Sequence, residues 1–249
     1  MSGPSWPRVA NHRGRSVPVT LGAAVAGAGA LGAAVVVATR EVPGGGVAST
    51  IGCGLVFAAG FVDDLSSGGP RGISNHLREL LRMHVTTGVV KLLVITASAI
   101  VVGGSLPGRG SATVAGVVLM AAGANLWNGL DVRPGRALKA FLPVAAVVLL
   151  AGPPLELVPP LPGVVVGAAL VLPADLRERG VLGDGGSNLL GFVAGLGLYL
   201  VLPTWGVWLG AACAVTLNVL AETVTLSRMI AAVAAIRWYD GLGRTAPRD

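Results

Sequence analysis

Charge is what this 249-residue chain has least of. Asp, Glu, Lys and Arg make up 12% of it, about half the share of an ordinary soluble domain. Aromatic residues are 4%, so broad aromatic stacking surfaces are excluded. There are three histidines, His12, His76 and His84, and none after His84. Their spacing matches no histidine metal site. The two cysteines, Cys53 and Cys213, lie inside apolar segments. They read as small buried residues, which excludes a disulfide framework or a thiolate metal centre.

What is abundant is apolar sequence. Hydrophobic residues are 53% of the chain, and the mean hydropathy is +0.75. The apolar residues come in runs too long for a water-soluble fold to hide. A spanning helix needs roughly 17–25 such residues. The sequence predicts an all-α, polytopic integral membrane helix bundle, a single domain over 1–249. It has about eight transmembrane helices at 17–39, 47–62, 86–104, 112–130, 137–151, 161–174, 187–202 and 205–221. Gly and Pro punctuate the turns, as in Pro43-Gly44-Gly45-Gly46 and Gly152-Pro153-Pro154. The 38 glycines suit close helix–helix approach inside a bilayer. The first apolar run follows a basic stretch but is too long for a signal-peptide core, so it is expected to be retained.

An even number of spans puts both termini on one side. With both termini cytoplasmic, sixteen of the eighteen Lys and Arg residues lie at or near that face, and only Arg40 and Arg109 fall outside. Such a bias sets orientation by the positive-inside rule and predicts a multi-pass protein of the cell membrane. The net charge of +6 is then a consequence of topology and of anionic lipid or phosphate ligands. No nucleic-acid partner is needed.

The few carboxylates are concentrated where apolar runs end, and the same topology brings them to the cytoplasmic face. The first cluster is Asp63-Asp64 in GFVDDLSSGG. Adjacent carboxylates repel each other, and a helix C-terminus disfavours negative charge. Metal ligation or general-base work supplies a reason for the pair, because a divalent cation reverses that penalty; the plainer alternative is a solvated loop start. The second cluster is Asn125, Asn128 and Asp131, spaced by three so that a continuing helix aligns them, with Arg133, Arg136 and Lys139 following at phosphate-pairing positions. Helix–helix hydrogen bonding is the alternative for any single Asn. The third is Gly183-Asp184-Gly185-Gly186-Ser187. It is ordinary turn and N-cap chemistry taken alone, yet its backbone N–H groups form a ready anion site beside a magnesium-ligating Asp184. Lys91 lies a turn inside the third span and must snorkel or meet an anion. The segment from His76 to Met83 has helical spacing, with Leu77, Leu80 and Leu81 on one face. It reads as an interfacial helix whose arginines guide an anionic substrate.

In order, the motifs are a basic N-R-G-x-x-V-P-like stretch (Asn11 to Pro18), F-V-D-D, an early lysine, N-x-x-N-x-x-D and G-D-x-G-S. The series resembles the polyprenyl-phosphate sugar-1-phosphate transferases, a superfamily also written as glycosyltransferase family 4. It includes the phospho-N-acetylmuramoyl-pentapeptide transferase and the N-acetylglucosamine-1-phosphate transferases of cell wall biogenesis. The resemblance covers about Asn11 to Ser187. It implies a Mg2+-dependent membrane enzyme that transfers a phospho-sugar from a UDP-sugar to a polyprenyl phosphate, releasing UMP. It makes Asp63 and Asp64 catalytic, with Asp64 and Asp184 as metal ligands. Lys91, Asn125, Asn128, Asp131, Arg133 and Arg136 become substrate-binding. The implied partners are polyprenyl phosphate, a nucleotide-sugar and membrane lipids, and a homodimer is admitted. The chain departs from the family in three places, one being its length, about two spans short of typical members with the first span expected to be the one missing. Asp131 is followed by Val132-Arg133-Pro134 where the family has G-x-D-G, and the late histidine-rich loop is missing. An inert relative that binds lipid-linked phosphate or a partner enzyme is therefore the alternative. A transporter is disfavoured, because its charges would gather near the midplane.

Overall fold

The computed structural model describes residues 8–10, 14, 16–66, 86–223 and 226–244. A short antiparallel hairpin, β1 (Arg8–Ala10) and β2 (Ser16–Pro18), comes first. Ten α-helices follow among the described residues. They are α1 (Leu21–Thr39), α2 (Gly44–Leu65), α3 (Thr87–Ser105), α4 (Ser111–Leu130) and α5 (Arg136–Leu150), then α6 (Leu161–Leu176), α7 (Gly183–Val201) and α8 (Thr204–Thr223), and finally α9 (Leu226–Ala232) and α10 (Ala234–Gly241). A 3-10 turn, Leu155–Leu157, lies between α5 and α6.

Each expected span coincides with one of α1–α8, with shifted boundaries. Five of these helices, α1, α2, α3, α4 and α8, are long and apolar enough to cross a membrane. Helices α5 and α6 have 15 and 16 residues, short of the usual span. The outer surface is apolar in the way a bilayer requires: Leu150 is 88% exposed, Leu170 72% and Trp205 71%. Cys213, expected to be buried, is exposed on this surface, whereas Cys53 is buried. The hairpin and the two C-terminal helices were not expected, because segments of three to eight residues carry too little hydrophobic periodicity to register. The interfacial helix expected from His76 to Met83, with Arg78 and Arg82, lies outside the described residues, as do Asn11, His12 and His84.

Helix α7 is the hub, with every residue from Gly185 to Gly197 buried. It packs on α1, α2, α4 and α5. Glycine makes this possible by letting backbones touch. A Cβ on Gly60 of α2 would meet the Asp184 backbone at 2.6 Å, and one on Gly195 would meet the Leu119 carbonyl and Met120 Cα of α4 at 2.8 Å. Gly191 makes the same kind of backbone approach to Gly123 and Ala124. Helices α4 and α7 therefore run antiparallel, in a register that sets Asn128 and Asp131 against the start of α7.

Candidate functional site at one end of the bundle

The two ends of the bundle carry different charge. At one end Arg40 pairs with Glu156 at 3.3 Å on the surface. Nearby Arg109 donates to the carbonyls of Tyr199 and Leu202, where α7 leaves its last acceptors open and a cation suits its dipole. At the other end the C-termini of α2, α4 and α6 meet the N-termini of α3, α5 and α7. Asp63, Asp64, Asp131, Asp175 and Asp184 gather there.

Lys91 is the centre of that gathering. Its ammonium lies 2.6 Å from Asp63 Oδ2 and also pairs with Asp184 Oδ2. Thr87, one helical turn earlier on the same face of α3, donates to Asp63 Oδ1 at 2.5 Å. Lysine and Asp63 are largely shielded from solvent, with 8% and 17% of their side chains exposed, while Asp184 keeps 31%. Asp184 is therefore the most solvent-accessible of the three.

Asp64 has a different task. Its Oδ1 accepts from the Asp184 N–H at 2.8 Å, and its Oδ2 accepts from the Gly185 N–H at 3.1 Å. It fills the anion position at the N-terminus of α7 that the sequence marked for a ligand. Gly183, at φ +68°, permits this: a Cβ there would meet the Asp64 carboxylate and Val19. The paired aspartates that seemed to lack a structural reason thus have two, a lysine partner and a helix start. They also sit in the last turn of α2 rather than in a loop.

The Asn-Asp stripe divides. Asn125 turns to α8, donating to Asn218 Oδ1 at 2.5 Å, and Asn218 in turn donates to the Ala122 and Ala214 carbonyls. This is the interhelical bonding weighed as the alternative. Asn128 faces α7, where its Oδ1 is 3.5 Å from Ser187 Oγ, a weak contact. Asp131 caps α4 beside the acidic group. Burial pushes its carboxyl well above the usual range, with repulsion from Asp175, Asp184 and Asp64 adding to the effect and a Gly183 N–H opposing it. Arg133 is exposed in the following loop. Arg136 is buried in a separate cluster, bound to Asp240.

Sequence reasoning missed Asp175, whose Oδ2 accepts from the Gly135 N–H at 2.9 Å and holds the loop behind Asp131. A carboxylate at the end of an apolar run was the available signal, the same one that marked Asp63. It also missed Asn188 and Trp127. Asn188 Nδ2 and Oδ1 and Trp127 Nε1 are buried without a hydrogen-bond partner among the described residues, one turn below Asp184 and Asp131 on α7 and α4.

The acids outnumber the single ammonium among them, which is the chemistry of a site for a cation. The placement is more selective. Among the described residues no three His, Cys, Asp or Glu side chains are arranged to hold one metal ion. The described residues therefore present no all-protein metal cage. A magnesium ion that keeps most of its waters would need only one or two carboxylates. Asp184 is the more open acid beside Lys91, while both oxygens of Asp64, expected as a second ligand, accept backbone N–H groups at the start of α7. The chain matches no protein-family model, no curated protein and no solved structure.

Proposed function

We propose that this chain is a membrane-embedded phosphotransferase, with eight transmembrane helices and both termini in the cytoplasm, that passes a phospho-sugar from a UDP-sugar to a polyprenyl phosphate. The observation that carries the reading is Lys91 held between Asp63 and Asp184 at the basic end of an apolar bundle, amid more acid than it neutralises. In the reaction a lipid phosphate oxygen attacks the β-phosphorus of the donor. The bond from that phosphorus to the bridging oxygen breaks, and UMP leaves with the electron pair. Two anions must approach, so the site must supply positive charge. Lys91 can exchange its Asp184 contact for a phosphate oxygen while Asp63 and Thr87 keep it aimed. A magnesium ion bound with the donor would supply the rest of the neutralisation. Asp64 fixes the position of Asp184 through the start of α7.

The inert-relative reading keeps one observation in its favour: Asp63 and Asp64 are both engaged by groups of the chain itself. Purified protein in nanodiscs, given magnesium, undecaprenyl phosphate and a panel of UDP-sugars, decides between them. Release of UMP, lowered by orders of magnitude in Asp184→Asn, is expected. Binding of polyprenyl phosphate without UMP release from any donor overturns the enzyme. Topology is tested separately with Gly108→Cys and Leu155→Cys, which must resist an impermeant thiol reagent applied from the cytoplasmic side.

A further inference from the structure

Arg136, counted in the sequence among residues facing a phosphate, faces a carboxylate instead. Its Nε and Nη2 donate to the two oxygens of Asp240 on α10, each at 2.9 Å. Its Nη1 donates to Ser227 Oγ on α9 at 2.8 Å. Arg244 adds a third cationic donor to Asp240 Oδ1 at 2.5 Å. Lys139, one turn along α5 from Arg136, donates to the carbonyls of Tyr239, Asp240 and Leu242 and so closes the end of α10. Two guanidinium groups therefore share one carboxylate, with Asp175 the next acid and already bound to Gly135. A forked arginine, a second arginine and a hydroxyl are the donor set that recognises phosphate. Asp240 offers them two charged oxygens, the same number that a phosphodiester presents.

An apolar cavity of about 200 Å3 adjoins this cluster, walled by Leu130, Ala140, Ile230 and Ile236 beside Arg136 and Asp240. The helix that delivers Asp240 turns Ile236 and Trp238 outward, the latter 68% exposed. That is the character of a segment lying at a membrane interface. Head-group chemistry and chain chemistry are thus side by side.

We propose that Arg136, Arg244 and Ser227, with the adjoining cavity, form a site for an anionic phospholipid of the bilayer, its phosphate taking the place that Asp240 holds in this structure. Helix α10 is then a clasp: its carboxylate and the lipid phosphate compete for the same arginines. The site is separate from the Lys91 cluster and does not depend on a transferase activity there.

The test is native mass spectrometry of the full chain in neutral detergent with added phosphatidylglycerol. Asp240→Asn removes the competitor's charge and should tighten phosphatidylglycerol binding about tenfold, the scale of one charge-assisted hydrogen bond. Asp240→Glu should bind as the wild type does. Arg136→Gln in the Asp240→Asn background should abolish the gain, and Ser227→Ala, which leaves the ion pair intact, should weaken binding about threefold, the lower end of what one hydrogen bond contributes. Phosphatidylcholine should bind poorly to every variant. Equal affinity of Asp240→Asn and wild type, or an Arg136→Gln variant that binds undiminished, overturns the proposal. Displacement by millimolar inorganic phosphate overturns the lipid in favour of a free anion. A strong preference for undecaprenyl phosphate over phosphatidylglycerol overturns it in favour of the carrier.

Discussion

Two charge clusters lie at the same end of this bundle, and they are unbalanced in opposite senses. Around Lys91 one ammonium serves Asp63 and Asp184, with Asp64 and Asp131 close by. Around Asp240 one carboxylate serves Arg136 and Arg244. Burial lifts the carboxyl of Asp131, whereas for Asp240 the bonds to Arg136 and Arg244 outweigh burial and hold the carboxyl below the usual range. The same amino acid thus plays opposite parts at one end of the bundle. The first cluster holds more carboxylates than ammonium groups, and the second more guanidinium groups than carboxylates. At the far end, by contrast, Arg109 meets backbone carbonyls and Arg40 meets Glu156 one to one.

The comparison can be broken most severely at Lys91. Lys91→Met leaves Asp63 and Asp184 facing each other without a counter-charge and should cost about 3 kcal/mol of stability, the lower end for breaking a buried pair because Asp184 is partly solvated. Thermal unfolding in detergent reads the loss, and Asp63→Asn in the same background should recover part of it. An unchanged midpoint would mean that the lysine is not what holds these acids together. Next in size is Gly183→Ala. A side chain at φ +68° that collides with the Asp64 carboxylate should cost about 2 kcal/mol, from left-handed backbone strain and a weakened helix start. Asp64→Asn should lose the smaller, capping share alone.

Asn188→Leu should act in the opposite direction. The amide is buried without partners among the described residues, so replacing it with an apolar side chain should gain roughly 1–2 kcal/mol. A variant that unfolds earlier than the wild type would show that the amide is bonded after all. The smallest effect concerns pH. Because the carboxyl of Asp240 is held low in the folded state, its contribution is present above the unfolded carboxylate range. It is lost as pH falls through and below that range. Amide hydrogen exchange in α10 should therefore lose protection on acidification before α7 does, and equal loss in both would remove the distinction between clasp and hub.

Much of this architecture was legible in the residues. Long apolar runs can satisfy their backbone only as helices, so α1 to α8 follow from the sequence within a few residues at each end. Lys91, Asp63 and Asp184 were marked by the cost of placing charge at such ends. Asn125 was not separable from Asn128, because spacing by three aligns them without saying which neighbour each will meet. Asp240 was invisible for a related reason: its partner is 104 residues away, and nothing local in an eight-residue helix announces the pairing.

By itself the sequence determined where helices form and which end of each carries charge, since both depend on hydropathy along one segment at a time. The tertiary structure alone decided what each charge is for. The glycine crossings of α7 with α2 and α4 set the distances, and distance turned Asp64 into the support for a helix start. It also turned Asn125 into an interhelical bond and Arg136 into the grip on Asp240. Coulomb energy and hydrogen bonding change steeply over a few ångströms, so a role that depends on them exists only once the helices have packed.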